Sequence, residues 1–592
     1  MKHIERKLGV ALMATVMLWS CGKDDGPIPP APNPTPEPEP VEETNSPPVI
    51  EAQEFTAGES ITDADIIGTV TATDADGDGL SFELTENDND LFLLTTTGEL
   101  TLAEGKTLDY ETATEHTITI SVTDGEETAE ATITITVEDV NESMAEDPTS
   151  FITIWKTETD GEEIIIGING DYSYNYAIDW GDGTEEELTD ADGKPTHVYD
   201  TSGTYTVAIQ GEFPAIKMGS LGEESSSKLL SLEQWGNIQW KSFWGAFADC
   251  ENMVYNATDV PDLSNVTDMS GMFDGAASFN GDLSAWGAKL SNVTNMSSVF
   301  DGATSFNGDI STWDVSNVTE MDFMFRNAES FNGDIGGWNV GNVANMNEMF
   351  RGAVSFDGDL STWDVSNVTD MNSMFAGTTS FNKDLNAWGT KLGNVKDMGF
   401  MFYNAPSFNS DLNGWDVSNV TNMSSMFSGA TSFSGNISDW NTTSVTNMRY
   451  MFYEAESFNG DLSNWDVSNV TNMQGMFQFA DVFNGDISTW DVSNVVKMTA
   501  MFSGASSFNR NLGNWNINNV DGLEVMLNNS GMTPSAYSAT LLGWANNLAN
   551  MPTDIELGAS GMAILCTPDI IAARNSLIIN KGWTIVGDTP CP

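Results

Sequence analysis

The residues most able to do chemistry in this sequence are carboxylates gathered in loops. Asp74-Ala75-Asp76-Gly77-Asp78 lies between two strand-like segments, and Leu108-Asp109-Tyr110-Glu111 and Asp139-Val140-Asn141-Glu142 add further acids. Acidic loops that meet must repel one another or share a hard cation, and Ca²⁺ takes six to eight oxygens from such groups. Read as an EF-hand, the first loop fails at its twelfth position, where Thr85 stands in place of a bidentate Glu. Histidine chemistry is nearly absent: of three His, His3 falls in the leader, leaving His116 and His197. There is no Ser/His/Asp grouping and no zinc-type His cluster. His197 sits in a strand-entry motif and reads as structural.

The second candidate set lies in an internal repeat. Phe279, Phe306, Phe331, Phe356, Phe381, Phe408, Phe433, Phe458, Phe483 and Phe508 recur every 25 residues, with two steps of 27, and a Trp column keeps the same steps from Trp286 to Trp515. Both long steps carry the same two-residue insertion, after Trp286 and after Trp388, so it reads as a loop. Two positions vary within the fixed unit: the residue before the second Met and the residue after Met-Phe. They gather Phe323, Arg326, Arg351, Phe400, Tyr403, Tyr450 and Tyr453, the residue types that anchor interfaces. These seven are the candidate ligand-binding residues; the competing reading is that the aromatics only cover the edge of the core. The repeating Asn and Asp columns (Asn307, Asn332; Asp309, Asp334, Asp359) read as caps on turn backbone, favoured over a calcium ladder.

Composition narrows the partners. The 592 residues carry 87 Asp and Glu against 21 Lys and Arg, a formal net charge of −66. Nucleic acid is excluded, because affinity for phosphate comes from Lys and Arg, and so is an anionic membrane surface. Residues 1–20 read as a signal peptide ending Leu18-Trp19-Ser20-Cys21, which resembles a bacterial lipoprotein box with Cys21 lipidated. Cys21-Gly22-Lys23-Asp24-Asp25 resembles the surface-export signal of Bacteroidota-type lipoproteins, which implies outer-membrane anchoring facing outward, with membrane contact only through the lipid. Residues 21–48 are a Pro-rich tether.

The elements that must position these residues are mainly β. Residues 49–142 alternate as strands, notably Thr117–Val122 and Thr132–Val137. With Asn45-Ser46-Pro47-Pro48 at entry, the Asp-Ala-Asp run, Leu-Asp-Tyr-Glu and the Asp-Val-Asn exit, the segment resembles a cadherin repeat. The resemblance implies calcium, with Glu59, Asp109, Glu111, Asp139 and Asn141 facing one site and Asp74, Asp76 and Asp124 the other. Tyr110 stands where the family usually has Arg, and no second cadherin repeat adjoins. Residues 147–216, with Trp180-Gly181-Asp182-Gly183, resemble a PKD-type β-sandwich. Residues 228–527 resemble the BspA-like leucine-rich-repeat surface proteins in a Met/Phe-rich form, implying a solenoid of coils with short strands that serves binding or adhesion. Residues 528–592 break the period and read as a short α/β cap, with Cys566 and Cys591 expected to form a disulfide and Cys250 a buried free thiol. The expected fold is two small β-sandwich domains followed by a leucine-rich-repeat-like solenoid and cap. The expected function is a non-enzymatic surface lipoprotein binding a protein or glycan; a polysaccharide hydrolase and a structural spacer are the alternatives.

Overall fold

A computed structural model describes residues 44–110, 112–140 and 143–591, which fall into two units, one up to residue 141 and one from residue 142. The architecture is mostly β, in several small sheets, with a short C-terminal α/β region.

The first unit has seven strands: β1 (Gln53–Gly58), β2 (Ile66–Thr69), β3 (Ser81–Glu86), β4 (Phe92–Leu94), β5 (Glu99–Leu102), β6 (Glu115–Thr123) and β7 (Thr128–Glu138). They form a four-stranded sheet, β1-β7-β6-β3, and a three-stranded sheet, β2-β5-β4. The Thr/Ile alternation of β6 and β7 does this: Ile118, Ile120, Val122, Ile133, Ile135 and Val137 are buried against Phe82, Leu100 and Leu102. The intervening Thr residues face outward. His116 is buried at the start of β6, its Nδ1 2.7 Å from Asp88 Oδ2.

The second unit opens with β8 (Phe151–Thr157), β9 (Glu162–Ile165), β10 (Asn175–Asp179), β11 (Glu185–Thr189), β12 (Thr196–Tyr199) and β13 (Gly203–Glu212). His197 is structural here: its ring stacks on Trp180 at 5.1 Å and its Nε2 meets Asp182 Oδ2 at 2.8 Å. The sheet of the unit expected over residues 147–216 extends beyond residue 216. After the short helix α1 (Glu223–Ser226), β14 (Leu229–Gln234) pairs antiparallel with β8 and parallel with β15 (Val254–Tyr255), giving one six-stranded sheet, β11-β10-β13-β8-β14-β15. Phe151 packs against Trp235 and Trp240 at 6.0 and 5.1 Å, so one core runs from this sheet into the repeats.

The repeats stack as coils. Successive coils are linked by a ladder of parallel bridges, Asp268↔Asn295↔Glu320↔Asn345↔Asp370↔Asp397↔Asn422↔Asn447↔Asn472↔Lys497↔Gly522. Both 27-residue steps fall within it without breaking register, as an inserted loop requires. Short strands were expected in these coils; overlapping turns take their place. Met324 N–H donates to Met321 O, Arg326 to Phe323 and Ala328 to Phe325, while the N–H groups of Met321, Phe323, Phe325 and Asn327 donate to the carbonyls of Asn345, Asn347, Met349 and Arg351 in the next coil. In the turns from Met321 and from Phe325 the third residue is left-handed, Phe323 at φ 59° and Asn327 at φ 56°. Inside, the side chains form continuous stacks. Phe300 lies 3.9 Å from Phe306 and 5.6 Å from Phe325, and Trp313 lies 6.3 Å from Trp338 and donates its indole N–H to the Leu283 carbonyl. No coil can bury its own Val, Met, Phe and Trp; its neighbours do so.

The far end is closed by α2 (Pro534–Asn546), β16 (Glu556–Gly558), α3 (Pro568–Lys581) and β17 (Thr584–Val586). Leu523 bridges Leu557 of β16, so the ladder passes into the small parallel β16–β17 sheet, and Tyr537, Trp544 and Leu577 cover the exposed end of the core. Cys566 and Cys591 are disulfide-bonded, and Cys250 is a buried free thiol.

Candidate functional site

Two places bring the singled-out residues together. The first is the acidic loop set of the first unit. Asp74 Oδ1 accepts the N–H groups of Asp76, Gly77 and Asp78 at 2.8, 2.9 and 3.3 Å, a tight turn that Gly77 permits with φ 84°. Asp76 Oδ2 accepts from Ser46 N–H at 2.7 Å, and Asp124 Oδ2 accepts from the Asn45 amide at 2.9 Å. The adjacent residues 45 and 46 thus draw Asp76 and Asp124 to one patch of backbone. Hydrogen bonds from Glu127 N–H, the Asn45 amide and Glu126 N–H hold the Asp124 carboxyl below the usual carboxylate range. Asp74 Oδ2 is buried without a hydrogen-bond partner. An unpaired carboxylate oxygen is the type of donor that a hard cation takes.

The other loop set is built differently. Glu59 is buried at 8% exposure, and its two oxygens accept the N–H groups of Tyr110 and Val140 at 2.7 and 2.9 Å. Asp109 binds Thr112 through N–H and hydroxyl. Asp139 is exposed; Glu111 and Asn141 lie outside the described residues, as does Cys21. Among the described residues no group of three or more His, Cys, Asp or Glu is gathered as a ready metal cage.

The second place is on the repeat array. Four of the seven candidate ligand residues line one groove of about 640 Å³: Phe400 and Tyr403 on one wall, Tyr450 and Tyr453 on the other, with Ser424, Ser425 and Ser428 of the intervening coil between them. Phe400 meets Tyr403 edge-to-face at 5.7 Å, and Tyr450 meets Tyr453 at 5.6 Å. Tyr450 is held in place on three sides. Its hydroxyl accepts from the Gln474 amide at 3.1 Å, the Arg449 guanidinium lies 4.8 Å over its ring, and the ring covers Gly475, where a Cβ would stand 2.1 Å from Cε1. Asn447, Arg449 and Gln478 complete the lining, which contains no carboxylate.

The other three candidates are elsewhere. Arg326 forks onto Asp301 through Nε at 3.0 and 2.8 Å, with its ring neighbour Phe323 4.5 Å beneath, and Arg351 pairs with Glu348 at 2.8 Å. Phe323 and Arg326 lie three coils before Phe400, with Arg326 committed to Asp301 of the preceding coil and Arg351 to Glu348 of its own coil. One exposed aromatic beside the groove, Phe479, was not singled out in the sequence. Phe479 is 41% exposed, left-handed at φ 58°, and packs edge-to-face on Tyr453 at 5.8 Å. Its column reads Gly275, Gly302, Asn327, Gly352, Gly377, Asn404, Gly429, Glu454, Phe479, Gly504. A Phe where Gly and Asn meet a left-handed requirement was the available signal.

The polar columns are structural. Asp309, Asp334 and Asp359 each accept the N–H two residues on, at 2.9, 3.2 and 2.9 Å. Asn280, Asn307 and Asn332 each accept a backbone N–H of the next coil, at 2.8, 2.8 and 2.9 Å. A capped turn accounts for the recurring Asp without any cation.

Residues 53–138 match the family model of the cadherin domain. That match supports a calcium-binding role for the first unit. Among solved structures, human protocadherin-24 EC1-2 is 22% identical over 25% of this chain and 60% of its own, at a TM-score of 0.16. Protocadherin gamma B7 extracellular cadherin domains 1–4 is 14% identical over 28% of this chain and 50% of its own, at 0.17. The chain therefore spans less than two thirds of these relatives, and likeness at this level carries no function across. No curated protein matches the chain. The repeats match a second family model at residues 241–356, 333–440 and 429–539, just over half of the 592 residues, and the chain belongs to that family, described as "Mycoplasma protein of unknown function, DUF285".

Proposed function

We propose that the protein is a lipid-anchored adhesion protein, displayed outward from a bacterial outer membrane, that holds its ligand on the repeat array. The observation that carries this reading is the groove of Phe400, Tyr403, Tyr450 and Tyr453, an exposed aromatic cluster on a chain that bears a cadherin domain. The lipobox ending at Cys21 and the acidic residues after it support the anchor and its direction, and the Pro-rich tether supports a stand-off from the lipid. In this reading the array is a BspA-like leucine-rich-repeat solenoid, the sheet before it a PKD-like module, and the cadherin unit a stalk that calcium stiffens through Asp74, Asp76 and Asp124. The test uses intact cells. Wild-type chain should label with a membrane-impermeant reagent and confer adhesion. Cys21→Ala should release it from the cell, and Tyr403→Ala with Tyr450→Ala should abolish adhesion at unchanged display. Adhesion that survives the double change would sink the groove as the binding surface.

A further inference from the structure

The groove's rings are not needed by the fold. Where their column holds Gly or Ser, at Gly271, Ser298 and Ser373, the neighbouring Met272, Val299 and Met374 are 0% exposed, as Met451 is beside Tyr450. Covering the core therefore does not explain the aromatics. Two of them also sit against backbone preference: Phe400 and Tyr450 have φ of 58° and 53°, a region that disfavours bulky side chains by roughly 1–2 kcal/mol each. Strain kept at residues that the core does not require is a mark of function.

We propose that this groove binds an extended, uncharged polysaccharide segment lying across successive coils; the proposal rests on the adhesion reading above and names its ligand. The chemistry of the lining selects it. Aromatic faces pack on the C–H faces of sugar rings, while Ser, Asn and Gln side chains exchange hydrogen bonds with hydroxyls, and those make up the lining apart from Arg449, whose guanidinium lies over the Tyr450 ring. A cationic ligand is disfavoured because Arg449 already covers the Tyr450 ring. A polyanion is disfavoured by the field of a chain with net charge −66. The aromatic walls lie two coils apart, about 10 Å at the strand-like spacing of stacked backbone, a length comparable to two sugars of an extended chain. Small Ser425 and Ser428 on the coil between leave the room for it.

The test is affinity electrophoresis of the full chain from residue 22 onward, in native gels containing hydroxyethylcellulose, xylan or polygalacturonate. Retardation by at least one of the two neutral polymers is expected. Tyr403→Ala with Tyr450→Gly should weaken it at least about tenfold. Gly occupies this left-handed column at 271 and 475, so that variant keeps the backbone geometry; Phe400→Ser, a residue the column holds at 298, 373 and 425, is an independent second variant. Asp309→Ala with Asp334→Ala should bind as wild type. No retardation in either neutral gel, retardation by polygalacturonate alone, or retardation untouched by both groove variants would overturn the proposal. If neutral polymers fail while displayed protein still confers adhesion that Tyr403→Ala with Tyr450→Gly removes, the ligand is a protein and the adhesion reading stands; if adhesion also fails, both readings fall.

Discussion

The two units use the same side chain for different ends. In the array, Asp309, Asp334 and Asp359 each close a turn of their own coil. In the first unit, Asp74 closes a turn with one oxygen and leaves the other buried and unpaired, while Asp76 and Asp124 reach to Ser46 and Asn45. An Asp that finds its partner two residues away repeats without penalty. An Asp whose partners come from distant loops concentrates charge, and the charge must be met by something. The first unit and the array differ in the same way in their cores: non-local strand pairing in the first unit, and contact between adjacent coils in the array.

The largest effect should come from breaking the stack. Phe427 is fully buried, 4.0 Å from Phe433 and 5.6 and 5.7 Å from Phe402 and Phe452. Phe427→Ala should cost about 3–5 kcal/mol in the array, read by denaturant melting, while hydrogen exchange in residues 44–140 stays unchanged. Phe400→Ala, on the surface of the same array, should cost less than about 0.5 kcal/mol. Equal losses would mean that the rings of the groove are part of the core after all.

Next comes the closed end. The Cys566–Cys591 bond closes a loop with a sequence separation of 25, and removing it by Cys591→Ser should destabilise the cap by about 3 kcal/mol. Because coils hold only their neighbours, exchange should rise in the cap and the last coils and leave the coils near residue 300 as they were. A uniform rise along the array would show longer-range cooperativity than the stacking implies.

How much of this was legible follows the same divide. The period, the Phe and Trp stacks, both inserted loops and the Asp caps could be read because each is local and repeated. The boundary at 216 could not: β14 pairs with β8 from about 75 residues away, and nothing in Leu229–Gln234 distinguishes a sheet strand from the opening of a coil. Phe323, Arg326 and Arg351 were grouped with the groove by column alone. The acid partners of the two Arg stand in the same two columns, Asp301 one coil before Arg326 and Glu348 three residues before Arg351, so a charge pairing could be read from the columns as readily as a binding face.

Calcium should separate the units cleanly. Anything bound only by the folded form stabilises it, so millimolar calcium should raise the melting temperature of the first unit by several degrees over chelator. Asp74→Asn should remove most of that gain. The array's transition should not move in either condition, and Asp334→Ala should cost it about 1 kcal/mol whether or not calcium is present. A calcium shift in the array would break the distinction between capping and chelating Asp.

The smallest effect tests the one place where the array itself lets acids accumulate. Asp274 and Asp301 occupy the same column in adjacent coils, with Asp249 beside them, and Arg326 forks onto Asp301. Burial, then the charges of Asp301 and Asp249, push the Asp274 carboxyl up to about 6, with Arg326 opposing. Its folded value thus lies above the unfolded value of about 4, and the folded protein holds this proton more tightly than the unfolded chain does. The contribution of this group to stability therefore grows as pH falls from about 6 toward 4, and its penalty is fully present above pH 6. Asp274→Asn should relieve the penalty, raising array stability at pH 7.5 by on the order of 1 kcal/mol after solvent screening, and should have little effect near pH 4. Melting wild type and variant side by side at the two pH values measures the difference. A variant that is no more stable at pH 7.5 would mean that Arg326 neutralises both carboxylates, and that the array tolerates stacked acids by pairing them as well as by capping.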